Sequence, residues 1–246
     1  MVRKRDKIIA DNNKCKAVEE KTFDSNLIDL LEKKYGSLWK TIWPEEYSFK
    51  DPFKNLIITI LSQNTSEANC IRAYKGLAAK FDVTPQSLSG ADESEIKESI
   101  RSGGLYNVKA KRIREVSKAV LERFGSELAS VLALPKEEAK KKLMELPGIG
   151  DKTADVLLTS RYSYQKVIPI DTHFERVAKR IGLVDQDADY NTIQKALIHF
   201  LPEEKRARLS GLLWLLAKNT CQAKNPKCRE CPLAQICEYK NKKRWD

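Results

Sequence analysis

The chain has 246 residues, 41% of them hydrophobic, enough to bury the core of one domain or of two packed lobes and too many for a disordered chain. Its formal charge of +11 favours a polyanionic partner. No apolar run approaches membrane-spanning length, and the basic Met1-Val2-Arg3-Lys4-Arg5 lacks the apolar core of a secretory signal, so an intracellular, soluble protein is expected.

Residues 1–20 are polar and aperiodic and read as a flexible basic tail. Asp24 and Ser25 can cap a helix that carries Leu27, Ile28, Leu30 and Leu31 and ends at Gly36, with Trp39, Ile42 and Trp43 as apolar anchors before Pro44. Asp51-Pro52 opens another helix, in which Phe53, Leu56, Ile57, Ile60 and Leu61 form a broad apolar stripe. Helical periodicity follows at about 66–81, 92–102, 108–124, 136–146, 151–161, 172–182, 190–200 and 202–218. No stretch alternates with period two, so the fold class is all-α.

The most informative stretch is Leu146-Pro147-Gly148-Ile149-Gly150-Asp151-Lys152-Thr153-Ala154. Pro147 must stop the preceding helix, since it lacks a backbone donor and disfavours helical geometry in the residue before it. Gly148 and Gly150 allow positive φ and close backbone approach, so a second helix can begin near Asp151. The result is a helix-hairpin-helix whose amides around Gly148 to Lys152 form an anion site at a helix amino terminus. Lys152 sits where the helix dipole disfavours an ammonium ion, the placement that an amine nucleophile requires. Asp171 follows Val167-Ile168-Pro169-Ile170 and precedes another helix. It can cap that helix, with Thr172 and Glu175 as a competing capping box, and a carboxylate there can also stabilise developing positive charge.

Cys221, Cys228, Cys231 and Cys237 are separated by six, two and five residues. Such a compact set in a reducing compartment reads as a metal site, and by its chemistry alone suits zinc or an iron-sulfur cluster. Cys70 reads as a buried helix-face residue and Cys15 as an incidental thiol of the tail.

The hairpin motif, the spaced Asp171-Thr172-His173 and the cysteine pattern together resemble the endonuclease III branch of the helix-hairpin-helix DNA glycosylases, over about residues 24–240. The resemblance implies two helical lobes with duplex DNA at the cleft between them, one comprising 21–50 and 162–246, the other 51–161. It implies one [4Fe-4S] cluster on the four cysteines, a monomer in the cell's DNA-containing compartment, and a bifunctional glycosylase/AP lyase acting on oxidised pyrimidines, with Lys152 and Asp171 catalytic. No metal ion is needed for the reaction itself. It further implies DNA contacts from Gly148, Ile149, Gly150 and Thr153, an apolar wedge at Leu105, and a gap filler at Asn64 where the family usually has glutamine, with Gln63 beside it. Lys224, Lys227 and Arg229 in the cysteine segment are expected to reach phosphates.

Overall fold

The computed structural model describes residues 25–42 and 49–239, and every regular element among them is helical. These residues form two compact units, one running from Ile42 to Ser163, the other joining the residues up to Thr41 with those from Tyr164 onward. The expectations for the tail, for Asp24 and for the side chains of Trp39, Ile42 and Trp43 lie outside what is described.

Helix α1 (Ser25–Ile42) does not end at Gly36. Arg208 grips Glu32 through two hydrogen bonds of 2.7 Å and donates to the Gly36 carbonyl at 3.2 Å. A Cβ at position 36 would stand 2.7 Å from Glu32 Oε2, so this glycine admits the ion pair and leaves the helix intact. Tertiary contact here outweighs glycine's low helix propensity.

Helix α2 (Pro52–Ser62) has proline in its first turn, and Asp51 accepts hydrogen bonds from the amides of Phe53 and Lys54 at 2.8 and 3.4 Å. Leu56, Ile57, Ile60 and Leu61 are fully buried, as the periodicity requires. Helix α3 (Glu67–Lys80) follows, and Gly76 brings its backbone so near Ser99 that a Cβ would lie 2.1 Å from the Ser99 carbonyl. Helices α4 (Pro85–Gly90) and α5 (Glu93–Ser99) both pack on α6 (Tyr106–Phe124). Beyond these lie α7 (Leu128–Leu132), α8 (Lys136–Met144) and α9 (Asp151–Lys166). The short α4 and α7 are absent from the sequence reading because one or two turns carry too little periodicity to register. Helix α5 stops earlier than expected, and a 3-10 turn at Arg101–Gly103 redirects the chain toward α6.

In the other unit α10 (Thr172–Arg180) packs on α11 (Tyr190–Phe200) and α12 (Arg206–Asn219). Leu209, Leu212, Leu213, Leu215 and Leu216 of α12 are all buried, so this helix is core on most of its circumference. A 3-10 turn at Glu203–Lys205 occupies the first turn of the helix expected from residue 202.

Candidate active site and nucleic-acid interface

The hairpin begins as α8 ends, with Leu146 N donating to Leu143 O and Ile149 N to Leu146 O, both at 3.1 Å. Gly148 has φ +72°, the left-handed conformation that favours glycine. Gly150 does not use positive φ, contrary to the freedom expected there; instead the space a Cβ would fill is empty for 4 Å. The first bond of α9 runs from Ala154 N to Gly150 O at 3.0 Å, leaving the amides of Asp151, Lys152 and Thr153 without an intrahelical acceptor. Because the Ile149 amide is paired, the candidate anion site narrows to these donors beside the open Gly150 face. The side chains of Ile149 and Thr153 are themselves buried.

Lys152 is exposed at the second position of α9. Lys140 of α8 braces the helix start, with Nζ at 3.0 Å from Asp151 and 3.1 Å from the buried Asp155. Burial opposes the Lys140 charge, but the two carboxylates outweigh it and raise the ammonium above its ordinary range.

Arg112, which the sequence reading missed, connects the hairpin to the turn after α2. A Cβ on Gly148 would lie 2.4 Å from Arg112 Nε, and Arg112 Nη1 donates to Gln63 Oε1 at 2.7 Å. Gln63 is half-buried and ends α2, whereas Asn64 beyond it is exposed with φ +51°. Leu105 is not core: it is 55% exposed, with φ +48°, immediately before α6. Its apolar side chain is thus held outward on a left-handed, strained residue.

Asp171 caps α10, its Oδ1 accepting from the amides of His173 and Phe174 at 2.9 Å each. The competing capping box does not form, because Glu175 instead pairs with Lys179 at 2.6 Å. Trp214 Nε1 donates to Asp171 Oδ2 at 3.2 Å, and the Trp214 and His173 rings meet edge-on with centroids 5.9 Å apart. Arg176 Nη2 lies 3.1 Å from His173 Nδ1. Since a guanidinium only donates, His173 Nδ1 accepts and its ring proton rests on Nε2.

The cysteine segment hangs from two arginines one turn apart on α10. Arg176 donates to the carbonyls of Cys221 and Ala217 at 2.8 Å each. Arg180 reaches Gln222 O at 2.7 Å and Ala223 O at 3.1 Å, lies 3.4 Å from Cys221 Sγ, and stacks on Tyr239 at 4.3 Å. Lys34 adds a bond to Glu230 O at 2.6 Å. Lys224, Lys227 and Arg229 are exposed. The i, i+4 spacing of Arg176 and Arg180 was visible in the sequence, whereas their acceptors were not.

Cys70 and the four clustered cysteines are free thiols. Among the described residues no three His, Cys, Asp or Glu side chains gather tightly enough to hold a metal ion. The four cysteines nonetheless share one loop: burial above all, then the nearby Cys221, Cys237 and Cys228, pushes the Cys231 thiol up to about 11. The donor set, four soft thiols on one loop with a guanidinium against Cys221, is of the chemical type that an iron-sulfur cluster takes.

This fold and hairpin define the class, and comparison with known proteins agrees: the family model described as "HhH-GPD superfamily base excision DNA repair protein" matches residues 57–203. Endonuclease III of Thermotoga maritima is 33% identical over 199 residues, 80% of this chain and 87% of that protein. Endonuclease III of Bacillus subtilis is 31% identical over 198 residues, 80% of this chain and 86% of its own. A solved structure of a trapped endonuclease III-DNA covalent intermediate superposes with a TM-score of 0.71 at 28% identity, covering 89% of this chain and 95% of that one. A thermostable thymine-DNA glycosylase shares the fold, with a TM-score of 0.67 at 22% identity over 95% and 99% of the two chains. The chain belongs to the endonuclease III family, enzymes of base excision DNA repair within the HhH-GPD superfamily. Among the described residues no helix is long and apolar enough to cross a membrane.

Proposed function

We propose that this enzyme is a bifunctional DNA glycosylase and abasic-site lyase that removes oxidised pyrimidines from duplex DNA. The observation that carries this reading is an exposed lysine, Lys152, on the first turn of a hairpin helix whose leading amides lack intrahelical acceptors. Those amides and the open Gly150 face take a phosphate, which brings the sugar of the damaged nucleotide to the lysine. The Lys152 amine attacks C1′ and displaces the base. Asp171 stabilises the oxocarbenium-like transition state and assists proton transfer. The Schiff base so formed acidifies the C2′ protons. Loss of one sends its electron pair into the protonated imine on Lys152, and β-elimination then breaks the C3′–O bond and expels the 3′ phosphate, cutting the strand 3′ to the lesion. The base must first leave the stack, and Leu105, Gln63 and Asn64 fill the space it vacates.

Cys221, Cys228, Cys231 and Cys237 would hold one [4Fe-4S] cluster. Its contribution when bound is to shape the loop that presents Lys224, Lys227 and Arg229 to the phosphates. Visible absorbance near ~400 nm that is lost with iron is the expected signature of thiolate-ligated iron.

Borohydride trapping tests the reaction. On duplex DNA containing one abasic site the protein should yield a covalent adduct that Lys152→Ala does not form. An adduct of equal yield from the variant would reject Lys152 as nucleophile. Base release from an oxidised pyrimidine, measured beside a G·T mismatch and oxidised guanine, tests substrate class; preference for either rival would overturn it.

A further inference from the structure

Lys109 is the one described lysine in the buried class at 2% exposure, an environment that lysine occupies only when paired. Its Nζ donates to Leu61 O at 2.7 Å and to Gly103 O at 2.9 Å. Leu61 lies in the last turn of α2, where helix geometry leaves carbonyls unpaired and the dipole is negative. Gly103 ends the 3-10 turn before Leu105. One ammonium thus ties together the two turns that carry Gln63, Asn64 and Leu105. On each turn a non-glycine residue is held left-handed, Asn64 at φ +51° and Leu105 at φ +48°. Such strain persists only where the surroundings over-determine the backbone. Burial works against the Lys109 charge, so the two carbonyls must hold it.

We infer that Lys109 is a positioning residue that holds the two base-displacing turns in register, so that they enter the duplex as one unit. The inference rests on the roles proposed above for Leu105, Gln63 and Asn64. Lys109 touches neither base nor sugar; it acts through the carbonyls of Leu61 and Gly103. Sequence alone could not single it out, because Lys109 is one basic residue among 45 and lies on an otherwise amphipathic helix.

The test uses a duplex with a tetrahydrofuran abasic analogue and 2-aminopurine as the neighbouring base, whose fluorescence rises when it unstacks. Lys109→Met keeps the length and removes the donors. At saturation its fluorescence rise should fall about tenfold, the loss expected for a charge-assisted hydrogen bond, with duplex affinity changed less than about threefold. A full rise from folded Lys109→Met overturns the inference. If that variant does not fold, the cycle Gln63→Ala, Leu105→Ala and their double variant replaces it, since both positions are solvent-accessible. Shared positioning predicts non-additivity of about threefold or more in the fluorescence response, and additive effects overturn it. A wild-type protein with neither fluorescence rise nor borohydride adduct would sink the functional reading and this inference with it; an adduct without a rise rejects the inference alone.

Discussion

Trp214 Nε1 donates to Asp171 Oδ2 at 3.2 Å, while Oδ1 of the same carboxylate takes the two leading amides of α10. Each oxygen therefore has its own task, and the carboxylate plane cannot rotate without breaking one of them. The cap fixes Asp171 to α10, and the indole fixes its orientation toward α12. Capping needs only the acceptor oxygen, whereas the charge-stabilising role proposed above needs the carboxylate itself.

Replacing Trp214 with Phe preserves most of the packing and removes one hydrogen bond to a charged group. Single-turnover base release should slow about tenfold. Asp171→Asn keeps a good cap, so stability should move by less than about 1 kcal/mol, while base release falls at least a hundredfold. Denaturant melts beside single-turnover rates separate the two effects. A large stability loss in Asp171→Asn would mean that the carboxylate is chiefly structural.

The two hairpin glycines should respond differently to alanine. Gly148→Ala places a Cβ at φ +72° and 2.4 Å from Arg112 Nε, so it should cost about 1–3 kcal/mol in a urea melt. Gly150→Ala meets open space and a permitted backbone, and should be neutral or stabilising by up to about 1 kcal/mol. Its duplex affinity should nevertheless fall, because the methyl group projects where the phosphate approaches.

Lys140→Met leaves Asp151 and the buried Asp155 without their shared ammonium. Removing one partner of a largely buried pair should cost about 3 kcal/mol at neutral pH. The Lys140 ammonium is raised in the folded state, so its stabilisation is complete below the ordinary lysine value of 10.5 and fades as pH rises through the raised value. The Tm gap between wild type and variant should stay constant from pH 7 to about 9 and close above about 10.5.

Burial pushes the Cys70 thiol up to about 11 from 9.0. A thiol raised in the folded state favours folding while it is protonated. That contribution is present below pH 9 and is lost between 9 and about 11. Cys70→Ala should therefore have its largest Tm deficit at neutral pH and a shrinking deficit across that window. A gap that does not change with pH would contradict the burial argument.

Helix type and the buried stripe of α2 were legible because apolar spacing at period 3.6 and the Asp51-Pro52 start depend only on local geometry. The hairpin was legible for the same reason: Pro147 and Gly148 act on their own backbone, and Asp171 caps the chain immediately after it. The sequence by itself thus determined the all-α class and the turn that places Lys152, and it narrowed the cap before α10 to Asp171 or the Thr172 box, a choice that the pairing of Glu175 with Lys179 settles. It could not determine whether Gly36 breaks a helix, because Arg208 decides that from far along the chain. Nor could it show that Arg112 covers Gly148, that Trp214 holds Asp171, or that Lys109 joins two turns. Those contacts link residues distant in sequence, and a basic or aromatic side chain carries no local signal of its acceptor. Only the packed helices bring a donor to within 3 Å of its acceptor, and that proximity decides whether a lysine is a solvated charge or a structural pin.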